Sequence, residues 1–187
     1  VFKHLRPGDI YTHTFTELKR RDPVVDLKSG KLKPFVPEAQ KKGIVFDVGF
    51  GGASLDFRQA IPALKSGFYP NSISTDLHTG SMNAAMKDML NIMSIFLAMG
   101  MPLTDVIKAS TWNPAVEIQH PELGNLSAGS VADIAILHLR NGNFGFWDRE
   151  GYKLKGKHRL ECEMTIRAGA IVYDLNGIAE PEVVKKN

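Results

Sequence analysis

Apolar and polar positions alternate between strand-like and helix-like patterns over the first 110 residues. Residues 10–15 form a β-branched and aromatic run of strand length, residues 44–48 a mostly apolar run typical of a buried parallel strand, and residues 71–76 a third strand. Helices are predicted over residues 37–42 and 57–66, each followed by a glycine that ends it. Strands separated by helices are typical of a parallel sheet covered by helices, so this half predicts an α/β fold.

Methionines recur at helical spacing after the third predicted strand, and two leucines widen the stripe. These residues are Met82, Met86, Met89, Met93, Leu90 and Leu97. Core packing is favoured over a binding surface as the role of the stripe. A further helix over residues 105–110, capped by Thr104, is predicted to end before Asn113 and Pro114.

The pattern becomes all-β after residue 115. A turn-rich segment at 124–129 precedes predicted strands at 132–137, 164–167 and 170–173, and residues 140–157 are predicted to form a hairpin or loop. The boundary between the two halves is expected between Pro114 and Leu123. We therefore predict a first domain over residues 1–118 and a second over residues 119–187.

The composition is that of a globular protein, since 43% of the 187 residues are hydrophobic and 23% are charged. This excludes a disordered or fibrous chain. Lys and Arg number 23 and Asp and Glu 20, and the resulting charge of +3 is scattered along the sequence. No nucleic-acid partner and no membrane partner are therefore expected.

Cysteine usage and hydropathy together favour a cytoplasmic protein. The single cysteine, Cys162, excludes an intramolecular disulfide and is interpreted as a buried or half-buried structural thiol. No apolar stretch is long enough to span a bilayer, and no secretory signal is expected. Because the chain opens with Val1 and what resembles the end of a helix, we expect it to begin in the middle of a fold.

Two side chains with metal-binding chemistry lie at or near the carboxyl ends of predicted strands. His13 lies near the carboxyl end of the first strand and Asp76 ends the third, and such strand ends share one rim of a parallel barrel. Imidazole and carboxylate suit a divalent metal such as zinc. His78, two residues further on, is a candidate for the same rim. The alternatives are a hydrogen-bonded structural histidine, a helix-capping aspartate and a solvated loop histidine.

A glycine-rich segment, residues 49–54, follows the second predicted strand and precedes a helix. It resembles a dinucleotide-binding turn, in which glycines let the backbone approach a pyrophosphate. The third glycine of that motif is absent because Ser54 occupies its place. A tight turn at a barrel rim, with backbone amides facing a ligand, is the favoured interpretation.

Five segments, taken in order, resemble the amidohydrolase superfamily, and its deacetylase and dihydroorotase-like branch most closely. Residues 5–13 resemble the approach to the sixth barrel strand, 46–51 the seventh strand, 72–78 the eighth with its metal-binding aspartate, 111–115 the helix end that follows, and 123–133 the return into a small β-sandwich, which 165–174 continue. The resemblance implies the carboxy-terminal part of a TIM-like (β/α)8 barrel followed by part of a β-sandwich.

The resemblance also implies roles for individual residues. His13 would bind the more exposed metal of a one- or two-metal centre, in which zinc is the expected ion. Asp76 would bind the buried metal and act as general base, taking a proton from the attacking water and returning it to the leaving amine. Gly49, Gly51 and His78 would contact a small-molecule substrate. The implied reaction is metal-dependent hydrolysis of a C–N bond in an amide or cyclic amide.

The sequence departs from the family pattern in two places. Phe50 stands where this branch often carries a histidine. The family's other ligands, which are paired histidines of the first strand, a lysine and a fifth-strand histidine, are not among these residues. We therefore expect a fragment whose partner is the missing amino-terminal part of the barrel, and the isolated chain is predicted to be inactive.

Two alternatives to this hydrolase remain open at the level of sequence. One is a nucleotide- or ligand-binding α/β protein without hydrolase activity, and the other is a degenerate, non-catalytic relative. Homo-oligomerisation is also left open.

Overall fold

The structure, a computed structural model, describes residues 2–19 and 21–183 as an α/β protein. The helices are α1 (Phe35–Lys41), α2 (Phe57–Lys65), α3 (Met89–Ala98), α4 (Leu103–Ser110) and α5 (Trp112–Glu117), with short 3-10 helices at Phe2–His4 and Pro121–Gly124. The strands are β1 (Ile10–Tyr11), β2 (Val25–Asp26), β3 (Lys31–Leu32), β4 (Val45–Phe46), β5 (Ile134–Trp147), β6 (Lys153–Arg167) and β7 (Ala170–Asp174). Within the described residues, none of the helices has the length and apolar character needed to cross a membrane.

The first half is built on parallel pairing, as the sequence predicts. β1 pairs with β4 in parallel, with Ile10 opposite Val45. The third predicted strand forms only one parallel bridge, between Asp47 and Ser72. Beyond this bridge, backbone amides of residues 48–51 donate hydrogen bonds to carbonyl groups of residues 72–75, in the segment that ends at Asp76. The regular ladder stops there because the next residues of the β4 side include glycines with left-handed backbone conformations. The three carboxyl ends therefore lie side by side.

The segment between β1 and β4 is more ordered than predicted. It contains the antiparallel hairpin β2–β3, in which Val25 lies opposite Leu32. The buried Gln59 of α2 holds this hairpin by accepting a hydrogen bond from the Val25 amide and donating one to the Val25 carbonyl. Helix α1 begins at Phe35, two residues before the proline expected to start it. The β2–β3 hairpin could not be predicted from the local sequence, because the side chain that holds it lies 34 residues away.

The residues of the methionine stripe do not all lie on one helix, although their spacing is helical. Met82 and Met86 precede α3 in a series of turns, and α3 begins only at Met89, after its N-cap Asp88. Met86 and Met93 are buried in the core, as core packing requires, whereas the side chain of Met82 is 54% exposed. The Asp88 side chain caps the helix by accepting a hydrogen bond from the Asn91 amide. The helix therefore starts after Asp88, even though the methionines before it also have helical spacing.

Helices α4 and α5 also differ from the prediction. Pro102, not Thr104, is the N-cap of α4, because the chain turns into the helix two residues earlier. Helix α4 ends at Ser110 as expected, but α5 then begins at Trp112 and includes Asn113 and Pro114. A proline is tolerated there because the first turn of a helix has no intrahelical partner for its N–H.

The carboxy-terminal half is an antiparallel sheet in the order β5-β6-β7. The first two predicted short strands are the outer parts of a long hairpin, and residues 140–157 form its continuation and its connecting turn. The third predicted strand is β7, which pairs with β6. Register shifts interrupt the pairing after Ile136 and after Asn141. Cys162, on β6, is half-buried as predicted and lies 3.4 Å from the Thr165 hydroxyl.

The sheet packs directly against the helices of the first half. Phe146 and Leu160 belong to the main hydrophobic core, and the Leu160 amide donates a hydrogen bond to the Ser94 hydroxyl of α3 (2.9 Å). In the turn between β5 and β6, the buried carboxylate of Asp148 accepts a hydrogen bond from the Phe57 amide at the start of α2 (2.9 Å). The sheet therefore supplies a cap for the helix that follows the glycine-rich segment.

Candidate active site

The predicted ligands His13 and Asp76 both lie against the segment of residues 49–51. A Cβ atom added to Gly49 would be 2.9 Å from Nδ1 of His13, and one added to Gly51 would be 2.5 Å from Oδ2 of Asp76. Only glycine leaves room for both side chains at these positions. Because one residue separates the two glycines, the structure places the imidazole and the carboxylate on one short stretch of backbone.

Both predicted ligands have a left-handed backbone conformation. The φ angle is 60° at His13 and 49° at Asp76, and only three other non-glycine residues in the described part of the chain have positive φ. This conformation costs about 1–3 kcal/mol for a residue with a Cβ atom and is concentrated at functional sites. Two of the five such residues are therefore the two that the sequence singles out for chemistry.

The His13 ring has a defined tautomer. Its Nδ1 lies 2.7 Å from the carbonyl oxygen of Gly49. A carbonyl oxygen only accepts, so Nδ1 carries the proton and the neutral ring has its lone pair at Nε2. No described residue forms a hydrogen bond with Nε2. A backbone carbonyl on one ring nitrogen is the arrangement that prepares the other nitrogen for a metal.

The Asp76 carboxylate is available for chemistry. Its side chain is exposed, and within residues 2–19 and 21–183 neither carboxylate oxygen accepts a hydrogen bond. The Asp76 carbonyl, by contrast, accepts a hydrogen bond from the Ser81 hydroxyl, which fixes the loop that follows. A fixed backbone with an unpartnered carboxylate suits both metal binding and proton transfer.

Asp47 is a second carboxylate beside the site, and the sequence analysis did not identify it. It is 9% exposed and accepts hydrogen bonds from three hydroxyl groups. The donors are Thr12 (2.6 Å), Ser72 (2.9 Å) and Ser74 (2.8 Å). The sequence pattern that could have identified Asp47 is an acidic residue at the end of an apolar strand, together with two serines at alternate positions of the next predicted strand.

His78 has the opposite tautomer to His13. The Gly80 amide donates to its Nδ1 (3.1 Å), so the neutral ring carries its proton on Nε2. This ring is a hydrogen-bond donor at its exposed end and offers no lone pair there. A substrate contact by His78 stays a prediction, and its chemistry is donation to an oxygen atom.

The glycine-rich segment does not form a phosphate cradle. The amides of Gly49, Phe50 and Gly51 donate to the Ser74 hydroxyl, the Ser74 carbonyl and the Thr75 carbonyl at 3.0, 3.3 and 2.8 Å. Helix α2 begins only at Phe57, so the glycines do not form its first turn. The dinucleotide interpretation is therefore wrong, and these three amides do not face a ligand. A substrate contact at Gly49 and Gly51 through other atoms stays a prediction.

Comparison with known proteins assigns the family. Residues 12–178 match the sequence model of the Amidohydrolase family. The chain belongs to the amidohydrolase family.

Several relatives of this amidohydrolase are deacetylases. The chain is 37% identical to a deacetylase of Brucella anthropi and 35% identical to a deacetylase of Agrobacterium fabrum, each over 151 residues and 81% of this chain. These matches cover 37% and 36% of the two relatives. A deacetylase of Enterococcus faecalis is 30% identical over 91% of this chain and 46% of its own. The chain thus spans less than half the length of these relatives.

Solved structures of the same superfamily have the same fold. A crystal structure of an adenine deaminase matches with a TM-score of 0.86 and 29% identity, and that of a dihydroorotase with a TM-score of 0.79 and 30% identity. Each match covers 92% of this chain and 46% of the solved chain. The α/β fold of this amidohydrolase is therefore shared along nearly its whole length.

Phe50 is a core residue of this amidohydrolase. Its side chain is fully buried in the main hydrophobic cluster. Phe50 therefore stabilises the segment between the two glycines and does not contribute a polar group to the rim.

The donor set of this amidohydrolase fits part of a metal site. His13 offers an imidazole lone pair and Asp76 a carboxylate, which are ligands that zinc accepts. In the described part of the chain, no three His, Cys, Asp or Glu side chains converge to hold a metal ion. The two donors therefore fit a divalent ion as members of a larger set.

Glu117 has a half-buried carboxyl group near Asp47. It ends α5 and is half-buried, and its Oε1 has no hydrogen-bond partner among the described residues. Burial raises the pKa of Glu117, the Ser72 hydroxyl opposes this, and the negative charge of Asp47 adds to the increase. Because the folded protein holds this proton more tightly than the unfolded chain, stability falls as pH rises above the ordinary glutamate range.

We expect the Glu117→Gln variant to unfold at a higher temperature than the wild type at about pH 7, with the difference shrinking at about pH 4. Thermal unfolding at the two pH values measures this. Glu122→Gln is the control, because the hydrogen bond with His120 lowers the pKa of that exposed carboxyl and its loss should not stabilise the protein. An equal shift for Glu117→Gln at both pH values would contradict the prediction.

Proposed function

We propose that this chain carries part of the active site of a metal-dependent hydrolase that cleaves the C–N bond of an amide or cyclic amide. One observation carries the proposal: the His13 ring, whose Nε2 is free of partners among the described residues, and the unpartnered Asp76 carboxylate lie against two glycines at the ends of adjacent parallel segments. Family membership and similarity to deacetylases, an adenine deaminase and a dihydroorotase support this reaction class.

The proposed architecture is the carboxy-terminal part of a TIM-like (β/α)8 barrel over residues 1–118, followed by part of a small β-sandwich over residues 119–187. The parallel register of β1, β4 and the bridge at Ser72 supports the barrel part. In such barrels the catalytic groups lie at the carboxyl ends of several strands. Further metal ligands would come from barrel strands outside this sequence.

In the proposed site, His13 through Nε2 and Asp76 through its carboxylate would hold one or two divalent ions, with zinc expected. Such an ion polarises the scissile carbonyl and makes water a stronger nucleophile. Asp76 would accept a proton from water as the new C–O bond forms. It would then deliver that proton to the nitrogen as the C–N bond breaks, so that the leaving group departs as a neutral amine.

His78 is proposed to recognise the substrate. Its Nδ1 is held by the Gly80 amide, so the exposed Nε2–H would donate to a carbonyl or carboxylate oxygen of a small molecule. Gly49 and Gly51 are proposed to contact the substrate beside the two candidate ligands, which lie against them.

The test is metal analysis and a hydrolase assay on the complete protein that carries this sequence. We expect stoichiometric zinc and release of amine from a panel of N-acetylated amino compounds and cyclic amides. Activity should be lost after chelation and restored by zinc. The 187-residue chain alone should bind zinc weakly and hydrolyse none of the panel, because it supplies only two of the donors.

Each alternative gives a different result in the same experiment. A complete protein without metal and without turnover would identify a degenerate relative. Saturable binding of a nicotinamide or flavin nucleotide would instead favour a ligand-binding protein. Stoichiometric zinc with amide hydrolysis by the 187-residue chain alone would contradict a site divided between this chain and further strands.

A further inference from the structure

The Asp47 carboxylate connects the three segments that form the candidate site. It belongs to the β4 side, accepts a hydrogen bond from Thr12 on the β1 side, and accepts two more from Ser72 and Ser74 on the third segment. Its backbone carbonyl also accepts bonds from the amide (3.1 Å) and hydroxyl (2.8 Å) of Thr14. All three strand ends are therefore tied to one residue that does not itself reach the rim.

The direction of each hydrogen bond is determined by chemistry. Ser74 accepts a hydrogen bond from the Gly49 amide (3.0 Å), so its single proton is free to point at Oδ2 of Asp47. Thr12 and Ser72 each donate their one proton to the same carboxylate. The two carboxylate oxygens have enough lone pairs to accept all three hydrogen bonds.

Two short routes lead from this carboxylate to the candidate ligands. The first runs from Asp47 through the Ser74 hydroxyl to the Gly49 amide, and the carbonyl of the same glycine accepts the proton of His13 Nδ1. The second runs along the backbone, since Thr12 precedes His13 directly and Ser74 lies two residues before Asp76. A shift of the carboxylate would therefore displace both ligands.

We propose that Asp47 is a positioning residue that sets the distance and orientation of the His13 imidazole relative to the Asp76 carboxylate. This rests on the proposed function, because it assumes that the two groups bind one metal centre. The buried carboxylate acts through Ser74 and Thr12, and it touches neither the metal nor the substrate. Residues that orient metal ligands in this way typically contribute about 10–100-fold to metal affinity or activity.

The structure provides a matched pair of hydroxyl groups for the test. Ser74 and Ser72 each donate one hydrogen bond to Asp47, at 2.8 and 2.9 Å, from alternate positions of the same segment. Only Ser74 also binds the Gly49 amide and so continues to His13. Ser74→Ala and Ser72→Ala therefore remove the same chemical group from the same carboxylate, but only Ser74 leads on to His13, whereas Ser72 also lies beside the Glu117 carboxyl.

The experiment measures zinc affinity by competition with a chelator, and the visible spectrum of the cobalt(II)-substituted complete protein. We expect Ser74→Ala to weaken zinc binding about tenfold and to shift the cobalt spectrum. Ser72→Ala should change both less than Ser74→Ala does, because it keeps the connection from Ser74 to Gly49, and Ser74→Thr, which keeps the hydroxyl, should restore wild-type behaviour. Asp47→Ala removes three hydrogen bonds at once, so the two serine variants avoid a result that reflects misfolding alone.

The possible outcomes separate this inference from the function on which it rests. If the unmodified protein binds no zinc, the proposed function fails and the positioning role fails with it. If the unmodified protein binds zinc but the two serine variants have equal effects, or no effect, the proposed function stands. Asp47 is then only a structural tie between strands.

Discussion

Asp76→Asn is expected to lower kcat of the complete, zinc-loaded protein by about 10²–10⁴-fold. An amide has nearly the same shape as a carboxylate but does not accept a proton from water, so the proposed base is lost while the contact with Gly51 is kept. Asparagine is also suited to the backbone here, because φ is 49° and asparagine tolerates the left-handed region better than most residues. Alanine at this position would combine the loss of the carboxylate with backbone strain.

The measurement for this variant is kcat together with zinc content and thermal unfolding. Asp105→Asn is the matched control, since it removes a carboxylate from the first turn of α4. The control should keep wild-type kcat, and both variants should remain folded. A zinc-loaded Asp76→Asn protein with kcat within about tenfold of the wild type would remove Asp76 from the role of general base.

Gly51→Ala is expected to reduce kcat/KM by about 100-fold, because a displacement of about 1 Å in a catalytic group has an effect of this size. The added methyl group would lie 2.5 Å from Oδ2 of Asp76, closer than any van der Waals contact allows. The neighbouring backbone is bonded to Ser74 and Thr75, so the carboxylate is the group that must move. Alanine also strains the backbone, whose φ is +50°.

Gly67→Ala separates the displacement from the strain. Gly67 follows α2 and has φ of +80°, but a Cβ atom added there meets nothing within 4 Å. In both variants the free energy of unfolding should fall by about 1 kcal/mol, because alanine is strained in the left-handed backbone conformation. Only Gly51→Ala should lose activity. Similar activity losses in the two variants would show that general destabilisation is the cause, and the close approach to Asp76 would then have no catalytic meaning.

The positions of His13 and Asp76 were predictable because local sequence patterns determine where these strands end. Short β-branched and apolar runs mark the strands, and parallel strands of an α/β fold bring their carboxyl ends to one edge. His13 and Asp76, which lie near the carboxyl ends of two of those runs, were therefore expected near each other. The need for glycine at 49 and 51 became clear only in three dimensions, because it depends on side chains that are 36 and 25 residues away in sequence.

Other features were hidden because they depend on contacts between distant residues. Asp47 resembles an isolated acid in an apolar strand until Thr12, Ser72 and Ser74 surround it. The methionine spacing suggested one helix, but the cap at Asp88 starts α3 later. The interpretation of residues 49–54 as a dinucleotide-binding turn was wrong because the glycine amides donate hydrogen bonds to the adjacent segment. The spacing of the glycines does not reveal those hydrogen bonds.

The Asp148 cap on α2 limits how this protein can be recombined. A second hydrogen bond joins the same turn to the start of this helix, because the Arg149 amide donates to the Leu55 carbonyl just before α2 (3.1 Å). A chimera that exchanged only residues 119–187 with a relative would bring a foreign turn to this helix start and leave a buried N–H without its acceptor. A chimera that keeps this contact would have to take both α2 and the β5–β6 hairpin from the same relative. These two segments lie far apart in sequence, so they would have to be exchanged together.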